Sequence, residues 1–477
     1  MKLSYHILKR GLCSSLIIAG GICSSFMSPF ANADFEIRII ASGLSDPWSV
    51  VCGAAGELWV TESKGYRVVK LDPNSGVKNI LLDLNSQREF PAFDQLKKSR
   101  QPTPQGGLMG LALHPDFQKG SPYVYLSYVH KHLYGNRFLL RLVRYHYDIK
   151  QNLLDSAAVI CDTIPASNDH NGGRMLIAPV GGKPYLFYGV GDQGAGQFAN
   201  GGNLNKAQLR SSYEGKILRF NLKPGNSGNW IPLDNPFGSG KSAVWSVGHR
   251  NPQGLAFTII NGQGRLYSSE HGPYSDDEIN LIHKANNYGH PLVIGYPDGN
   301  YNGLAASISA EKSYPGKWHT SYPFIEDEKR NADSIGPGYA PPVMSFYPTT
   351  SAELSVLFNK LQRDEKAAWK SYAPSGIAVY SAMIIPGWQQ SLLVTSLKTG
   401  KLLRLKLNND GTVNPKVLEY VPSRARYRDV AVSRDGSKIY LATDSSAITS
   451  GPTEENPKAI SQRGCILELT YIKKKRR

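Results

Sequence analysis

Hydrophobic and polar residues alternate along most of the chain in short runs that glycine-rich turns separate. Residues 58–62 form one such run, a Lys64-Gly65 turn follows, and residues 67–71 form the next. The same unit recurs at residues 391–396 and 402–407. In its second run, apolar positions alternate with Arg or Lys, the period of two expected of a half-buried strand. The pattern therefore predicts antiparallel hairpins along the chain.

Recurrent four-stranded units of this kind are typical of a β-propeller. Six blades after residue 33 would have about 74 residues each, against ~40–50 in compact repeats, so some loops must be long. Residues 35–40 are a predicted strand that could join the last blade, where 438–443 pairs with 465–471. We predict an all-β, six-bladed β-propeller of four-stranded antiparallel blades, with a β-sandwich pair or a solenoid as the alternative. The irregular residues 299–366 are interpreted as a long excursion.

The first 33 residues differ in character from the rest of the chain. Lys2, Lys9 and Arg10 precede an apolar run, and Ala31-Asn32-Ala33 matches an A-x-A cleavage pattern. We predict a secretory signal peptide over residues 1–33, cleaved near Ala33, and a periplasmic or secreted protein. An uncleaved anchor is the alternative, which the shortness of the apolar run disfavours. No further long apolar run follows, so no membrane span is expected after it.

The chain is basic, with 54 Lys and Arg against 38 Asp and Glu, a formal net charge of +16. Removal of the signal peptide would take three of these charges, and five more lie in the tail, residues 473–477. Residues 34–472 are predicted to form a single domain. We expect no nucleic-acid partner, because zinc spacing and RNA-binding aromatic motifs are absent from the sequence. Cys52 and Cys465 could form a disulfide, or both could be buried free thiols like Cys161.

Four glycine-rich loops carry polar side chains of chemically useful types. Each loop alone has an ordinary explanation, since a His after Asp is often a capped turn residue and two Arg spaced by one residue are often solvated. Asp276-Asp277-Glu278 lacks the spacing of an EF-hand. The loops are residues 105–116, 168–174, 248–257 and 269–280, and Lys398 and Arg426-Tyr427-Arg428 add basic groups near the C-terminus.

Together and in this order, the motifs closely resemble the soluble quinoprotein glucose dehydrogenases of Gram-negative bacteria, within the wider glucose/sorbosone (aldose sugar) dehydrogenase family. The stretches 249–257 and 275–282 are the most specific, and the resemblance is weakest over residues 299–366. It implies a six-bladed propeller exported to the periplasm, pyrroloquinoline quinone (PQQ) and calcium as cofactors, and a possible homodimer.

PQQ is a flat o-quinone with three carboxylates, which guanidinium forks bind well. Arg250 would face the quinone oxygen, where negative charge develops during reduction. The family pattern assigns cofactor binding to Gln105, Asp169, Arg250, Asn251, Lys398, Arg426 and Arg428.

Oxidation of an aldose at C1 removes a hydroxyl proton and a hydride. His170 matches the family's general base, and Asp192 is its expected orienting carboxylate. The resemblance implies proton abstraction by His170, hydride transfer to PQQ and release of the lactone. The electrons would then pass to a periplasmic acceptor other than oxygen, a cytochrome or a quinone.

Calcium prefers oxygen ligands, including backbone carbonyls. The family holds one ion with the carbonyls of a Gly-Pro pair, here Gly272 and Pro273. The ligands of a second, structural ion map to Glu278, Tyr288, the Ile294 carbonyl, Tyr296 and Asp298. Its remaining acidic ligand is Glu326 or Glu328, which the sequence does not separate.

Gln197, Phe198 and Trp369 are the residues that the family pattern places around the sugar. Phe198 stands where the family has Leu, and Lys366 stands where it has Tyr. These differences favour a broad range of aldoses, disaccharides included. Two alternatives remain, a sugar-binding propeller without catalysis and a calcium-dependent lactonase. The lactonase would have no use for Arg426 and Arg428.

Overall fold

The computed structural model describes seven stretches of the chain, which leave out both ends and several loops. They are residues 35–88, 105–131, 138–197, 200–225, 228–238, 240–445 and 460–472. The predicted signal peptide, the basic tail and Phe198 lie outside the described residues. Among the described residues, no helix is both long and apolar enough to cross a bilayer.

Six four-stranded antiparallel sheets form the blades of a propeller, as the sequence pattern predicts. In the first three blades the strands follow one another in chain order. These blades contain β2 Pro47–Cys52, β3 Leu58–Glu62, β4 Arg67–Leu71 and β5 Lys78–Asp83; β6 Leu108–Leu113, β7 Tyr123–Lys131, β8 Phe138–Asp148 and β9 Leu153–Ala166; and β10 Met175–Val180, β11 Lys183–Val190, β12 Lys216–Phe220 and β13 Val244–Val247. The preceding strand, β1 Phe35–Ala41, belongs to the sixth blade.

The remaining blades are built in the same way, with one interruption in the fourth. They contain β14 Pro252–Ile260, β15 Gln263–Glu270, β16 Asp277–Ile282 and, after a small hairpin of β17 Leu304–Ala305 and β18 Phe324–Ile325, β19 Met344–Phe346; then β20 Pro374–Tyr380, β21 Ser391–Ser396, β22 Leu402–Leu407 and β23 Val413–Tyr420; and finally β24 Tyr427–Val432, β25 Lys438–Thr443 and β26 Ile466–Tyr471.

The two ends of the chain close the ring. β1 pairs antiparallel with β26, from Phe35 opposite Tyr471 to Ile39 opposite Leu467, and so supplies the outer strand of the sixth blade. Phe35 also packs edge-on against Trp388 of the fifth blade, with ring centroids 5.4 Å apart. The predicted closure by the first strand is therefore confirmed.

Each blade buries both of its faces against its neighbours. In β22, Leu403 and Leu405 pack in a cluster with residues of the fourth blade, whereas Leu402 packs in a cluster with residues of the sixth. Burial of a leucine side chain is worth about 1.5–3 kcal/mol, so the apolar positions of one strand join three blades. A sandwich would bury only one face of each sheet.

The excursion between residues 299 and 366 is more regular than predicted. It contains two helices, α1 Glu328–Ile335 and α2 Ser351–Gln362, and it returns to the sheet as β19, the fourth strand of the fourth blade. A capping box of Thr350 and Glu353 begins α2. The apolar face of α2 then packs through Phe358 against Tyr274. The excursion therefore completes the blade and covers the loop that follows β15.

Cys52, Cys161 and Cys465 are free thiols within the described residues. Of the two alternatives left open by the sequence, the structure has the free thiols and no Cys52–Cys465 disulfide. Burial raises the pKa of the Cys52 thiol to about 12, which disfavours the thiolate.

Candidate active site

The site lies at one end of the ring, where the described residues of the blades contribute segments of two kinds. The first strands of the six blades contact one another around the central axis. Because neighbouring strands are antiparallel, the residue that enters a first strand lies beside the turn between the second and third strands. All four predicted loops, and both basic points near the C-terminus, are segments of these two kinds.

His170 and Asp192 form a buried hydrogen-bonded pair. The imidazole Nδ1 lies 2.7 Å from Asp192 Oδ1, and both side chains are nearly or fully buried. His170 has a left-handed backbone with φ 42°. It packs so closely on Gly191 that a Cβ there would come within 2.0 Å of the His170 carbonyl oxygen. The fold thus holds the histidine in a strained conformation of the kind that is common at functional sites.

Asp192 receives more hydrogen bonds than sequence reasoning predicted. Its Oδ2 accepts from His290 Nε2 at 2.8 Å, from the Tyr322 hydroxyl at 2.8 Å and from Asn205 Nδ2 at 2.9 Å. Burial raises the pKa of Asp192, but the charge and hydrogen bonds of His170 and His290 outweigh it and hold the pKa well below the usual value. The carboxylate therefore stays ionised. Sequence reasoning missed His290 and Tyr322, because both lie outside the four glycine-rich loops and no local pattern marks them.

Gln197 joins the His170 ring to Arg250. Its Nε2 lies 2.9 Å from His170 Nε2 and 2.7 Å from Asp169 Oδ2, while its Oε1 accepts from Arg250 Nη2 at 3.0 Å. This amide orientation is the one that satisfies both Asp169 and Arg250. His170 Nε2 therefore accepts a hydrogen bond, and the proton is assigned to Nδ1, which faces Asp192.

Arg250 and Asn251 lie directly before β14, the first strand of the fourth blade. Glu270 Oε2 accepts from the Arg250 backbone N–H at 2.9 Å, and its other oxygen lies 2.5 Å from His249 Nδ1. In the part of the chain that the structure describes, Arg250 Nε and Asn251 Nδ2 are buried donors without a hydrogen-bond partner. Buried donors without partners are costly, so they indicate a place for a ligand with acceptor oxygens.

Arg426 and Arg428 lie together on the opposite side of the ring from Asp192. Asp444 binds Arg428 through both oxygens, at 2.8 and 2.7 Å, and accepts from Arg426 Nε at 3.3 Å. Burial raises the pKa of Asp444, but the two guanidinium groups lower it by more, so the pKa lies below its usual value. Sequence reasoning missed Asp444, although an acidic residue directly after β25 lies at the correct end of a blade.

An open cavity lies beside Arg428 on the ring axis, with about 440 Å³ of empty space that includes adjoining solvent. Predicted residues Gln105 and Arg428 both line it. The remaining lining residues are Asp46, Trp48, Ser63, Lys64, Gly106, Met109, Asn171, Gly172, Gln253 and Asp444. Lys398 lies near the covering excursion, where its ammonium is 4.9 Å from the centre of the Trp369 ring and donates to the Trp369 carbonyl.

Gly272 and Pro273, the predicted ligands of the first calcium, form a tight turn after β15. A Cβ on Gly272 would meet the Ser275 carbonyl oxygen at 1.8 Å, so the turn requires glycine. The Gly272 N–H donates to Asp277 Oδ1 at 3.0 Å.

Glu278 and Glu328 converge on the loop of residues 294–301, around the predicted second calcium site. Glu278 accepts from the Gly295 N–H at 3.0 Å, and Glu328 accepts from the Ile294 N–H at 2.9 Å. Burial raises the pKa of Glu278 to about 8, with a further contribution from Glu270, and burial raises that of Glu328 to about 7. Glu328 is fully buried, whereas the Glu326 side chain is 76% exposed. Of the two alternatives for the acidic ligand, Glu328 is the one whose carboxylate lies at this loop.

The other residues of this predicted site lie on the same loop or beside it. The Tyr288 hydroxyl donates to the Leu281 carbonyl at 2.7 Å, and Tyr296 is partly exposed. Among the described residues, no three His, Cys, Asp or Glu side chains form a metal-binding group. A calcium ion here would therefore need backbone carbonyls among its ligands. The predicted set includes one, the carbonyl of Ile294.

Fold and site together define a six-bladed propeller with a buried His170–Asp192 pair and an axial cavity lined by Lys64 and Arg428 together with Asp46 and Asp444. A family model described as "Glucose / Sorbosone dehydrogenase" matches residues 44–325 and 360–449. The chain belongs to this glucose/sorbosone dehydrogenase family. The unmatched residues 326–359 contain the first helix of the excursion and most of the second.

Relatives agree with this assignment over most of their length. The chain is 32% identical to quinoprotein glucose dehydrogenase B of Acinetobacter calcoaceticus, over 93% of each chain. It is 29% identical to aldose sugar dehydrogenase YliI of Escherichia coli, over 72% of this chain and 76% of that one. Among solved structures, the PQQ-bound aldose sugar dehydrogenase of Streptomyces coelicolor is similar with a TM-score of 0.60 and 25% identity, over 92% of this chain and 98% of that one.

Proposed function

We propose that this protein is a PQQ-dependent dehydrogenase that oxidises aldose sugars at C1 to the lactone. The observation that carries the proposal is the buried His170–Asp192 pair, joined through Gln197 to Arg250. Family membership supports the same reaction class. A lactonase would have no use for Arg426 and Arg428.

The residues around the cavity fit a polycarboxylate quinone. Arg426 and Arg428 both pair with Asp444 beside the cavity, and guanidinium groups bind carboxylates well. The buried donors of Arg250 and Asn251 fit quinone oxygens. Gln105, Asp169 and Lys398 would complete the binding site. When bound, PQQ supplies a two-electron acceptor for the hydride of the sugar.

His170 is the general base in this proposal. Its Nε2 carries a lone pair and takes the proton of the C1 hydroxyl, while the Nδ1–H remains bonded to ionised Asp192, which stabilises the imidazolium. The Gln197 amide now lies within 2.9 Å of that Nε2. It therefore has to turn aside when a sugar hydroxyl binds. Arg250 stabilises negative charge that develops next to the base.

Calcium is proposed at two places. The carbonyls of Gly272 and Pro273 would hold one ion beside the cofactor. Glu278, Glu328 and the carbonyl of Ile294 would hold the second, with Tyr288, Tyr296 and Asp298. The fit rests on two buried carboxylates, Glu278 and Glu328, whose pKa values are raised chiefly by burial and further by neighbouring carboxylates.

The sugar is proposed to bind next to Gln197, Phe198 and Trp369. Trp369, three residues beyond the excursion, packs edge-on against Tyr274 at 5.1 Å, so this segment is held against the loop that follows β15. We expect a broad range of aldoses because Lys366 and Phe198 replace residues of the glucose enzymes. The wider proposal includes export after removal of residues 1–33, one domain over 34–472, a basic tail over 473–477, a periplasmic cytochrome or quinone acceptor, and a homodimer.

Reconstitution tests this proposal. Apo-protein is titrated with PQQ in the presence and absence of Ca²⁺, and reduction of an artificial dye is then followed with a panel of aldoses. We expect turnover with at least one aldose when both cofactors are present. PQQ binding without oxidation of any aldose would leave the sugar-binding propeller as the function. Failure to bind PQQ would overturn the cofactor assignment.

A further inference from the structure

Lys64 is a buried cation in the wall of the axial cavity that none of the family motifs includes. It lies in the turn between β3 and β4, is 5% exposed, and donates from Nζ to the Gly106 carbonyl at 2.8 Å. Gln105, Arg428 and Asp444 line the same cavity. Its ammonium is therefore close to two residues that the cofactor is proposed to contact.

The position of Lys64 in its blade repeats that of other site residues. Lys64 is the second residue after the second strand of its blade. Asp192, Gly272 and Lys398 each hold the same position in their own blades. Lys398 is thus the counterpart of Lys64 in the fifth blade, where the surrounding turn also resembles that of the first.

The fold holds this turn firmly against the loop that contains Gln105. Gly107 has φ +116°, and a Cβ there would come within 1.9 Å of the Ser63 carbonyl oxygen. That oxygen accepts from the Leu108 N–H at 3.1 Å, and Arg88 donates to the Lys64 carbonyl. The ammonium is therefore held in place before any ligand binds.

Two cations, Lys64 and Arg428, and two carboxylates, Asp46 and Asp444, line this part of the cavity. The pKa of Lys64 is lowered to about 8, chiefly by burial; Asp46 and Asp444 raise it, whereas Arg428 and Arg88 lower it, and burial outweighs the carboxylates. Asp444 already binds both arginines. A buried ammonium in such surroundings is stabilised by an anion that enters the cavity.

We propose that Lys64 binds a carboxylate of the cofactor and is a further cofactor-binding residue beside Lys398, Arg426 and Arg428. The proposal rests on PQQ being the cofactor. The alternative is a structural lysine whose task is to hold the Gly106 carbonyl.

Equilibrium titration of apo-protein with PQQ in Ca²⁺ distinguishes the two roles, with thermal unfolding of the apo-protein as a second readout. In Lys64→Met, we expect PQQ affinity to fall about ten- to hundred-fold, as for loss of one charge-assisted hydrogen bond. Apo stability should be equal or higher, because a buried cation is removed. Lys64→Arg should stay within about threefold of wild type. Lys70→Met, which removes a lysine on β4 of the same blade outside the cavity lining, should leave affinity unchanged.

The trimethyl ester of PQQ provides the matched ligand. It keeps the quinone but lacks the negative charges, so Lys64→Met and wild type should bind it equally. Unchanged affinity of Lys64→Met for PQQ, or an equal loss for acid and ester, would overturn the proposal. If Lys64→Met does not fold, the comparison is made with Lys64→Gln. Failure of the wild-type protein to bind PQQ is a different result, which counts against the proposed function.

Discussion

The two nitrogens of the His170 ring have hydrogen-bond partners of opposite kinds. Nδ1 faces a carboxylate whose pKa is held low, so this nitrogen keeps its proton. Nε2 faces an amide that donates to it, so this nitrogen keeps its lone pair. These neighbours orient the ring for the general-base role that we propose for it, and His290 and Tyr322 contribute indirectly through Asp192.

Replacement of His170 tests this directly. His170→Gln should lower turnover by roughly 10²–10⁴-fold, because a positioned general base contributes that much. PQQ affinity should stay within a few-fold of wild type. Steady-state kinetics and PQQ titration of the same preparation measure both quantities. Normal turnover in this variant would show that another group removes the proton.

The inference about Lys64 also predicts a pH dependence. The charged groups that face Lys64 are Asp46, Asp444, Arg428 and Arg88, and carboxylates and guanidinium groups ordinarily titrate far from pH 8. In the apo-protein the pKa of Lys64 is lowered to about 8, and a bound carboxylate should raise it. PQQ affinity should therefore be constant below pH 8 and weaken above it, by at most tenfold per pH unit.

Dissociation constants measured between pH 6.5 and 10 for wild type and Lys64→Arg check this dependence. Arginine keeps its proton over the whole range, so its curve should stay flat where that of wild type declines. Parallel curves would mean that a group other than Lys64 titrates.

At the scale of elements, a single kind of turn supplies the site repeatedly. The turn after the second strand contributes Lys64, Asp192, Gly272 and Lys398 in four different blades. Repetition makes these positions equivalent in space, while their side chains differ in chemistry. The excursion adds hydrogen bonds that the repeated turns do not supply. The Tyr322 hydroxyl donates to Asp192, and Glu328 accepts from the Ile294 N–H.

The choice between Glu328 and Glu326 yields an element-scale prediction. Glu328→Gln should weaken calcium binding at least tenfold, which removes about 1.4 kcal/mol of calcium-linked stability. Glu326→Gln is the matched control, because its carboxylate is exposed and only 3.9 Å from Arg330 at the surface. Thermal unfolding with Ca²⁺ and with a chelator measures the difference. An equal response of both variants would remove Glu328 from the site.

Over the whole molecule, a buried arginine ties distant blades together. Arg174 precedes the third blade and donates to Asp429 of the sixth at 2.7 Å, to Ser49 of the first at 3.1 Å and to the Gln253 carbonyl of the fourth at 2.8 Å. Its guanidinium also stacks 4.2 Å from the Trp48 ring centre. This one side chain therefore spans the axis of the ring.

Arg174→Met should destabilise the protein by about 3–5 kcal/mol, because the Asp429 carboxylate would remain buried without its partner. Arg67→Met cuts a surface pair with Asp83, in which both side chains are more than 40% exposed, and should cost no more than about 1 kcal/mol. Chemical unfolding of both variants gives the comparison. Equal losses would contradict a special role for the axial pair.

The sequence by itself determined the strands, their number per blade and the closure of the ring, because period-two patterns and turn residues are local. It also identified the residue types of the site, since His170, Arg250 and Arg428 lie in short motifs. Only the tertiary structure placed β19 inside the excursion and brought Asp444, His290 and Lys64 to the site. These residues carry no local pattern, and their roles arise from burial and from partners on other blades. Burial and partner charges are decided when the ring closes.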